Sequence, residues 1–211
     1  MFLVLTIGVG FASMLHGNLQ KRNAESQIET IHRDVLALDN ELKTLLDRIS
    51  TSNVQLNSLK NYWDKKGIGL VVFHHNKPVD WTTNAIPFPL SFDDRHAPSD
   101  GIVQLKNNWY LCRTVSVEEQ LLVAYALLRS SFDFENRYIE NNWGPVFSAS
   151  TNFGFTRSDL DSHELFLADG VSDVRLRESA SSDSLKHSWN SLLWLAFLSL
   201  LILCMWHAAN W

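Results

Sequence analysis

The sequence is short of cysteine, proline and basic charge, and each shortage closes off a class of protein. Two cysteines in 211 residues cannot build a disulfide framework. Cys204 sits in an apolar C-terminal run and Cys112 in the polar middle, so the two are expected on different sides of a membrane and unbridged. Cys112 then reads as a small buried hydrophobe. Lys and Arg total 18 against 23 Asp and Glu, a net charge of −5, which leaves no basic field for nucleic acid. No glycine-rich nucleotide loop and no serine–histidine–acid spacing appears, so no catalytic residue is assigned. Long apolar runs are missing everywhere except at the two ends.

Those ends are the first positive signal. Ser191 to Trp206 reads SLLWLAFLSLLILCMW without a charge. Extended to Trp211 the run has 21 residues, interrupted only by His207 and Asn210. At ~1.5 Å per residue it matches a hydrocarbon core of ~30 Å. Trp189, Trp194, Trp206 and Trp211 lie within or beside it, as expected at a membrane interface. The N-terminal run MFLVLTIGVGFASMLHGN is shorter and has no basic residue before it. A signal peptide normally begins with a basic stretch. The run is therefore read as an uncleaved transmembrane helix that has lost its first residues. Lys21 and Arg22 follow the first run, and Arg175, Arg177 and Lys186 precede the second. Taken literally, the positive-inside rule puts the middle in the cytoplasm. That indication is set aside, because nothing basic lies outside the runs for comparison and long translocated domains tend to ignore the bias.

Between Gln27 and Trp63 there is no proline or glycine. Apolar residues keep a seven-residue repeat there. One row holds Ile28, Val35, Leu42, Ile49, Leu56 and Trp63, and the other Ile31, Leu38, Leu45 and Leu59, with Ser52 as a polar interruption. This predicts a helix of ~50 Å. Its seam, Ile28, Ile31, Val35, Leu38, Leu42, Leu45 and Ile49, either pairs in a parallel dimer or packs on its own domain. The flanking charges do not decide, since Asp34 would face Asp39 of a partner helix.

After Gly67 the period changes. Ile68–Phe73, a polar turn from His74 to Pro78, and Val79–Thr82 read as a β-hairpin. Pro87, Pro89 and Pro98 with Asp93, Asp94 and Asp100 mark a loop. Ile102–Leu105, a turn at Lys106–Asn108, and Trp109–Val115 read as a second hairpin. Gln120–Arg129 is continuously apolar at its centre and reads as a strand covered on both faces. Phe132–Asn142 is expected to be a short helix, and Glu164–Ala168 another strand. The order predicts an α+β, PAS-like sensor domain.

Three segments carry a resemblance. Gly67–Pro87, with Trp81, Thr82 and Asn84, resembles the periplasmic region of the large Bacteroidetes-type two-component sensor histidine kinases. Leu105–Val115 resembles their asparagine-glycine-tryptophan-tyrosine strand, with Asn108 where a glycine is usual. The segment from Leu121 to Asn141 resembles their apolar strand followed by a tyrosine-x-x-glutamate-asparagine-x-tyrosine stretch, through Phe132, Glu135, Asn136 and Tyr138. The resemblance covers roughly Gly67 to Asn142. It implies a transmembrane helix at 1–16, a heptad helix at 17–66, a periplasmic sensor domain at 67–180, a connector at 181–190 and a second transmembrane helix at 191–208. It also implies a homodimer in a bacterial inner membrane that relays a small-molecule or protein signal to a kinase core absent from this chain. A full-length parent would use ATP and Mg and address a response regulator; this chain itself needs no cofactor.

Trp81, Asn84, Trp109, Tyr110, Arg113, Glu135, Asn136 and Tyr138 carry the resemblance. They read either as a pocket for an anionic or sugar-like ligand or as core aromatics and turn formers. His74–His75, with His96 and Asp93, offers metal-ligand types, but adjacent histidines on a strand point to opposite faces, so no metal is assigned. The competing functions are a non-catalytic, membrane-anchored coiled-coil structural or adaptor protein and, with least support, a membrane-anchored enzyme.

Overall fold

The computed structural model describes residues 2–51, 56–93, 96–132, 136, 141–147, 153–160, 162–167, 169–178, 198–199, 202 and 205–208. The side chains of residues 1–22, 57 and 171 lie outside the description. The chain divides into two units, 1–177 and 178–211. In the second, the described residues 198–199, 202 and 205–208 are helical. Among the described residues no helix is long and apolar enough to cross a membrane. The side chains of the expected first span and most of the expected second lie outside the described residues.

The first unit opens with α1, a 50-residue helix from Phe2 to Thr51. The expected first span and the heptad helix thus share one continuous backbone. The expectation that helix continues to Trp63 is corrected. α1 is described to Thr51, residues 52–55 lie outside the description, and the chain is no longer α-helical when it resumes at Leu56. A 3₁₀ turn at Leu56–Leu59 and the short α2, Tyr62–Lys66, follow. Gly67 ends α2 in the left-handed region at φ 65° and donates its N–H to the Trp63 carbonyl at 2.8 Å.

Five strands come next: β1 Ile68–His74, β2 Lys77–Trp81, β3 Gly101–Leu105, β4 Asn108–Val117 and β5 Gln120–Ser130. They form one antiparallel sheet in the order β2-β1-β5-β4-β3. Both hairpins and the long strand fall where the sequence predicts them, and β5 lies at the centre. Pro78 is tolerated because β2 is an edge strand. The β1–β2 turn has His75 at φ 49° and Asn76 at φ 60°, the positive pair that a tight two-residue hairpin requires. At the β3–β4 turn the positive φ falls on Lys106, at 53°, so Asn108 need not replace a glycine's conformation.

Smaller strands complete the unit. β6 Phe153–Thr156, β7 Ser162–His163 and β10 Arg175–Glu178 form a three-stranded sheet, and β8 Phe166–Leu167 pairs with β9 Gly170–Val171. The strand expected at Glu164–Ala168 is thus only two residues long. The described residues of the expected helix at Phe132–Asn142 are not helical.

The sheet has two differently covered faces. On one, α1 packs over β4 and β5. Ile31, Val35, Leu38, Leu42 and Leu45 are at most 4 % exposed there, joined by Leu111, Leu122, Ala124, Ala126, Phe153, Leu165 and Leu176. Ile28 and Ile49 are partly buried against the same cluster. Of the two readings left open for the heptad rows, packing on the chain's own domain is the one seen from Ile31 to Leu45, where the side chains are spent on the sheet. Small Ala124 and Ala126 let the helix come close. On the other face Phe73, Tyr110, Cys112 and Tyr125 are covered by Ile86, Phe88 and Phe92 of the 82–100 loop.

Candidate functional site

Strand alternation sends Leu111, Arg113 and Val115 toward α1, and Tyr110 and Cys112 toward the loop. An arginine is thereby placed among apolar residues, with its side chain only 4 % exposed. A buried guanidinium requires charged, hydrogen-bonding partners. Asp39 supplies the main one. It lies on the buried stripe of α1 and is 0 % exposed. The Arg113 Nε–H donates to Asp39 Oδ1, and Nη2 donates to Oδ2 at 2.7 Å. This is the two-pronged fork that suits arginine and not lysine.

The third nitrogen reaches outward. Nη1 donates to Asp100 Oδ2 at 3.2 Å and lies 2.6 Å from Asp169 Oδ2. Asp100 is itself held by the Thr114 backbone N–H at 2.7 Å and the Thr114 hydroxyl at 2.8 Å. Lys43, one turn along α1 from Asp39, donates to Asp169 Oδ1 at 2.6 Å. The node therefore sets two cations, Arg113 and Lys43, against three carboxylates. Its inner pair is buried, while Asp100 and Asp169 are 46 % and 59 % exposed. It joins α1, β4, the entry to β3 and the β8–β9 turn.

Burial alone would pull the Arg113 pKa down. The hydrogen bonds and charge of Asp39, with help from Asp169 and Asp100, more than offset that and hold it above its ordinary value. The Asp169 carboxyl is pulled below its ordinary range, chiefly by the Lys43 hydrogen bond and then by the charge of Arg113. Behind the node, burial pushes the Cys112 thiol up, so this buried, free cysteine is inert.

The residues singled out in the sequence do not converge. Trp81 Nε1 donates to Asn84 Oδ1 at 2.6 Å at the exposed end of β2, where both pin the start of the loop. Trp109 is buried on the helix side, with Phe155 at 5.8 Å and the Arg157 guanidinium over its ring. Tyr110 is buried on the loop side and takes a hydrogen bond from Asn108 Nδ2 at 3.0 Å. Asn136 is exposed, and Glu135 and Tyr138 lie outside the described residues. Of the two readings, Trp109 and Tyr110 take the place of core aromatics, and Trp81, Trp109, Tyr110 and Arg113 do not line one pocket. They are spread over two faces of the sheet, and the Arg113 charge is already met by three carboxylates.

The described residues of the loop face pack closely. Thr82 Oγ1 accepts the Leu70 N–H at 2.9 Å, and a Cβ on Gly69 would lie 2.4 Å from Ile86 Cδ1. Phe73 meets Phe92 edge-on at 5.0 Å. A cleft of about 240 Å³ lies between α1 and α2, lined by Asn40, Glu41, Thr44, Leu45, Arg48 and Tyr62. That is below the ~300 Å³ at which ligand pockets usually begin.

Sequence reasoning missed Asp39, Lys43, Asp100 and Asp169. It took Asp39 for a helix-flank charge. Its place beside Leu38 and one turn after Val35, inside the apolar stripe, was the available signal. His96 Nδ1 lies 2.6 Å from Asp93, apart from the histidine pair, while His74 and His75 gather with Glu119. No protein-family model, curated protein or solved structure matches the chain.

Proposed function

We propose that this chain is the signal-sensing and transmembrane input region of a two-component sensor histidine kinase, with its PAS-like middle domain in the periplasm of a bacterial inner-membrane homodimer. The single observation that carries the reading is the Arg113 node. It ties the helix arriving from the N-terminal apolar run to the sheet and to the turn at Asp169, upstream of the second apolar run. The antiparallel sheet in the order β2-β1-β5-β4-β3, with a long helix across one face, supports the PAS-like assignment.

Magnitudes suggest which contacts move. Coupling between sites is typically about 1–3 kcal/mol. Stripping one partner from a buried ion pair costs about 3–5 kcal/mol. The Asp39–Arg113 pair therefore stays whole in both signalling states, and the solvent-facing contacts of Asp100 and Asp169 exchange. The homodimer in this reading pairs through a surface other than the buried heptad stripe.

Fusing the chain after Trp211 to a histidine-kinase core and following autophosphorylation in membranes tests the reading. Asp169→Asn should shift basal output about fivefold or more, within the range of such couplings. Output indistinguishable from wild type, in a variant that folds and inserts normally, would contradict it.

A further inference from the structure

We propose that His74, His75 and Glu119 form a surface site for one divalent transition-metal ion of the zinc class. The site stands independently of the sensor reading. It is built by two neighbouring hairpin tips. His74 ends β1 and pairs with Gln120, the first residue of β5, so the sheet register brings Glu119 beside it. His75 would point away if the strand simply continued. Its left-handed φ of 49° turns it back, and the two imidazoles meet edge-to-face with centroids 4.1 Å apart. Glu118, at φ 54°, is likewise left-handed, so both tips hold non-glycine residues in an uncommon conformation.

The three side chains each offer one ligand atom, and these atoms all lie within 4.8 Å of one another. His74 Nε2 is 3.9 Å from Glu119 Oε2, too long for a hydrogen bond, and His74 Nδ1 is buried without a partner. His74 and Glu119 approach as an ion pair would, with no hydrogen bond between them. An ion with bonds of about 2.0–2.1 Å sets tetrahedral ligands about 3.3 Å apart. Small rotations of the exposed His75 and Glu119 side chains close that gap. Two nitrogens with one carboxylate select zinc-like ions over calcium or magnesium, which take oxygen ligands. The exposed side leaves room for water as a further ligand.

Titration calorimetry of the full chain in detergent with zinc chloride tests the site. Wild type should bind one ion saturably. His75→Ala and Glu119→Gln should each weaken binding at least tenfold, and His96→Ala should leave it unchanged. Both substituted residues are exposed, so far-UV circular dichroism and metal-free melting should match wild type. Absence of saturable binding, or an affinity within threefold of wild type in either folded variant, would overturn the proposal.

Discussion

Arg113 is held at the point where helix, sheet and outer loops meet, and its energetics follow from its isolation. With Asp39 replaced by Asn, an almost fully buried guanidinium would lose its main anionic partner. With Arg113 replaced by Met, a 0 % exposed carboxylate would lose its two-pronged partner and keep the Lys43 ammonium at 4.0 Å. Each single change should cost about 3–5 kcal/mol. The double change should cost clearly less than their sum, because it removes both members of the buried pair together. Melting temperatures of the four proteins in the same detergent, analysed as a double-mutant cycle, check this. Asp169 adds a pH term. Its folded pKa is depressed, so its contribution is present above the unfolded carboxyl value of ~3.9 and is lost as pH falls through the lower folded value. Between pH 5 and pH 3 the melting temperature of wild type should therefore fall more steeply than that of Asp169→Asn. This scale was the least legible in the sequence. An acid at Asp39 and an arginine at Arg113 look like surface charges until the fold brings them together, and the same holds for His74 and Glu119.

At the scale of elements, local patterns carried more. The hairpins were readable because apolar runs alternate with polar turns, and β5 because its centre is apolar on both faces. The heptad repeat correctly marked a helix. It did not reveal the helix's partner, since a stripe that fits a coiled coil also fits a sheet. Nor did it mark the change to a 3₁₀ turn at Leu56–Leu59, where the apolar spacing runs on. The buried stripe makes a direct prediction. Leu42→Ala, at a fully buried position, should lower stability by about 2–5 kcal/mol. If the stripe instead faced a second helix, the loss would depend on protein concentration. Gly69→Ala tests the loop face. Its new methyl would overlap Ile86 Cδ1 and Thr83 Cγ2, so overpacking of about 1–3 kcal/mol is expected from thermal melts.

At the scale of the whole molecule, strand order could not be read locally. β5 inserts between β1 and β4 by pairing with β1 across a long stretch of chain, and no local motif announces such a pairing. The α+β class was legible from element order, while the proposed periplasmic placement rests on the resemblance carried by residues 67–142. The most direct measurement is accessibility of the middle domain in living cells. Val79 is 53 % exposed on the edge strand β2, and Cys112 is buried. A Val79→Cys protein that also carries Cys204→Ser thus has one reactive thiol. Cells expressing it, with the outer membrane permeabilised, are treated with a membrane-impermeant maleimide. Labelling while the inner membrane is intact is the predicted result; labelling only after lysis would place the domain on the cytoplasmic side and contradict the account.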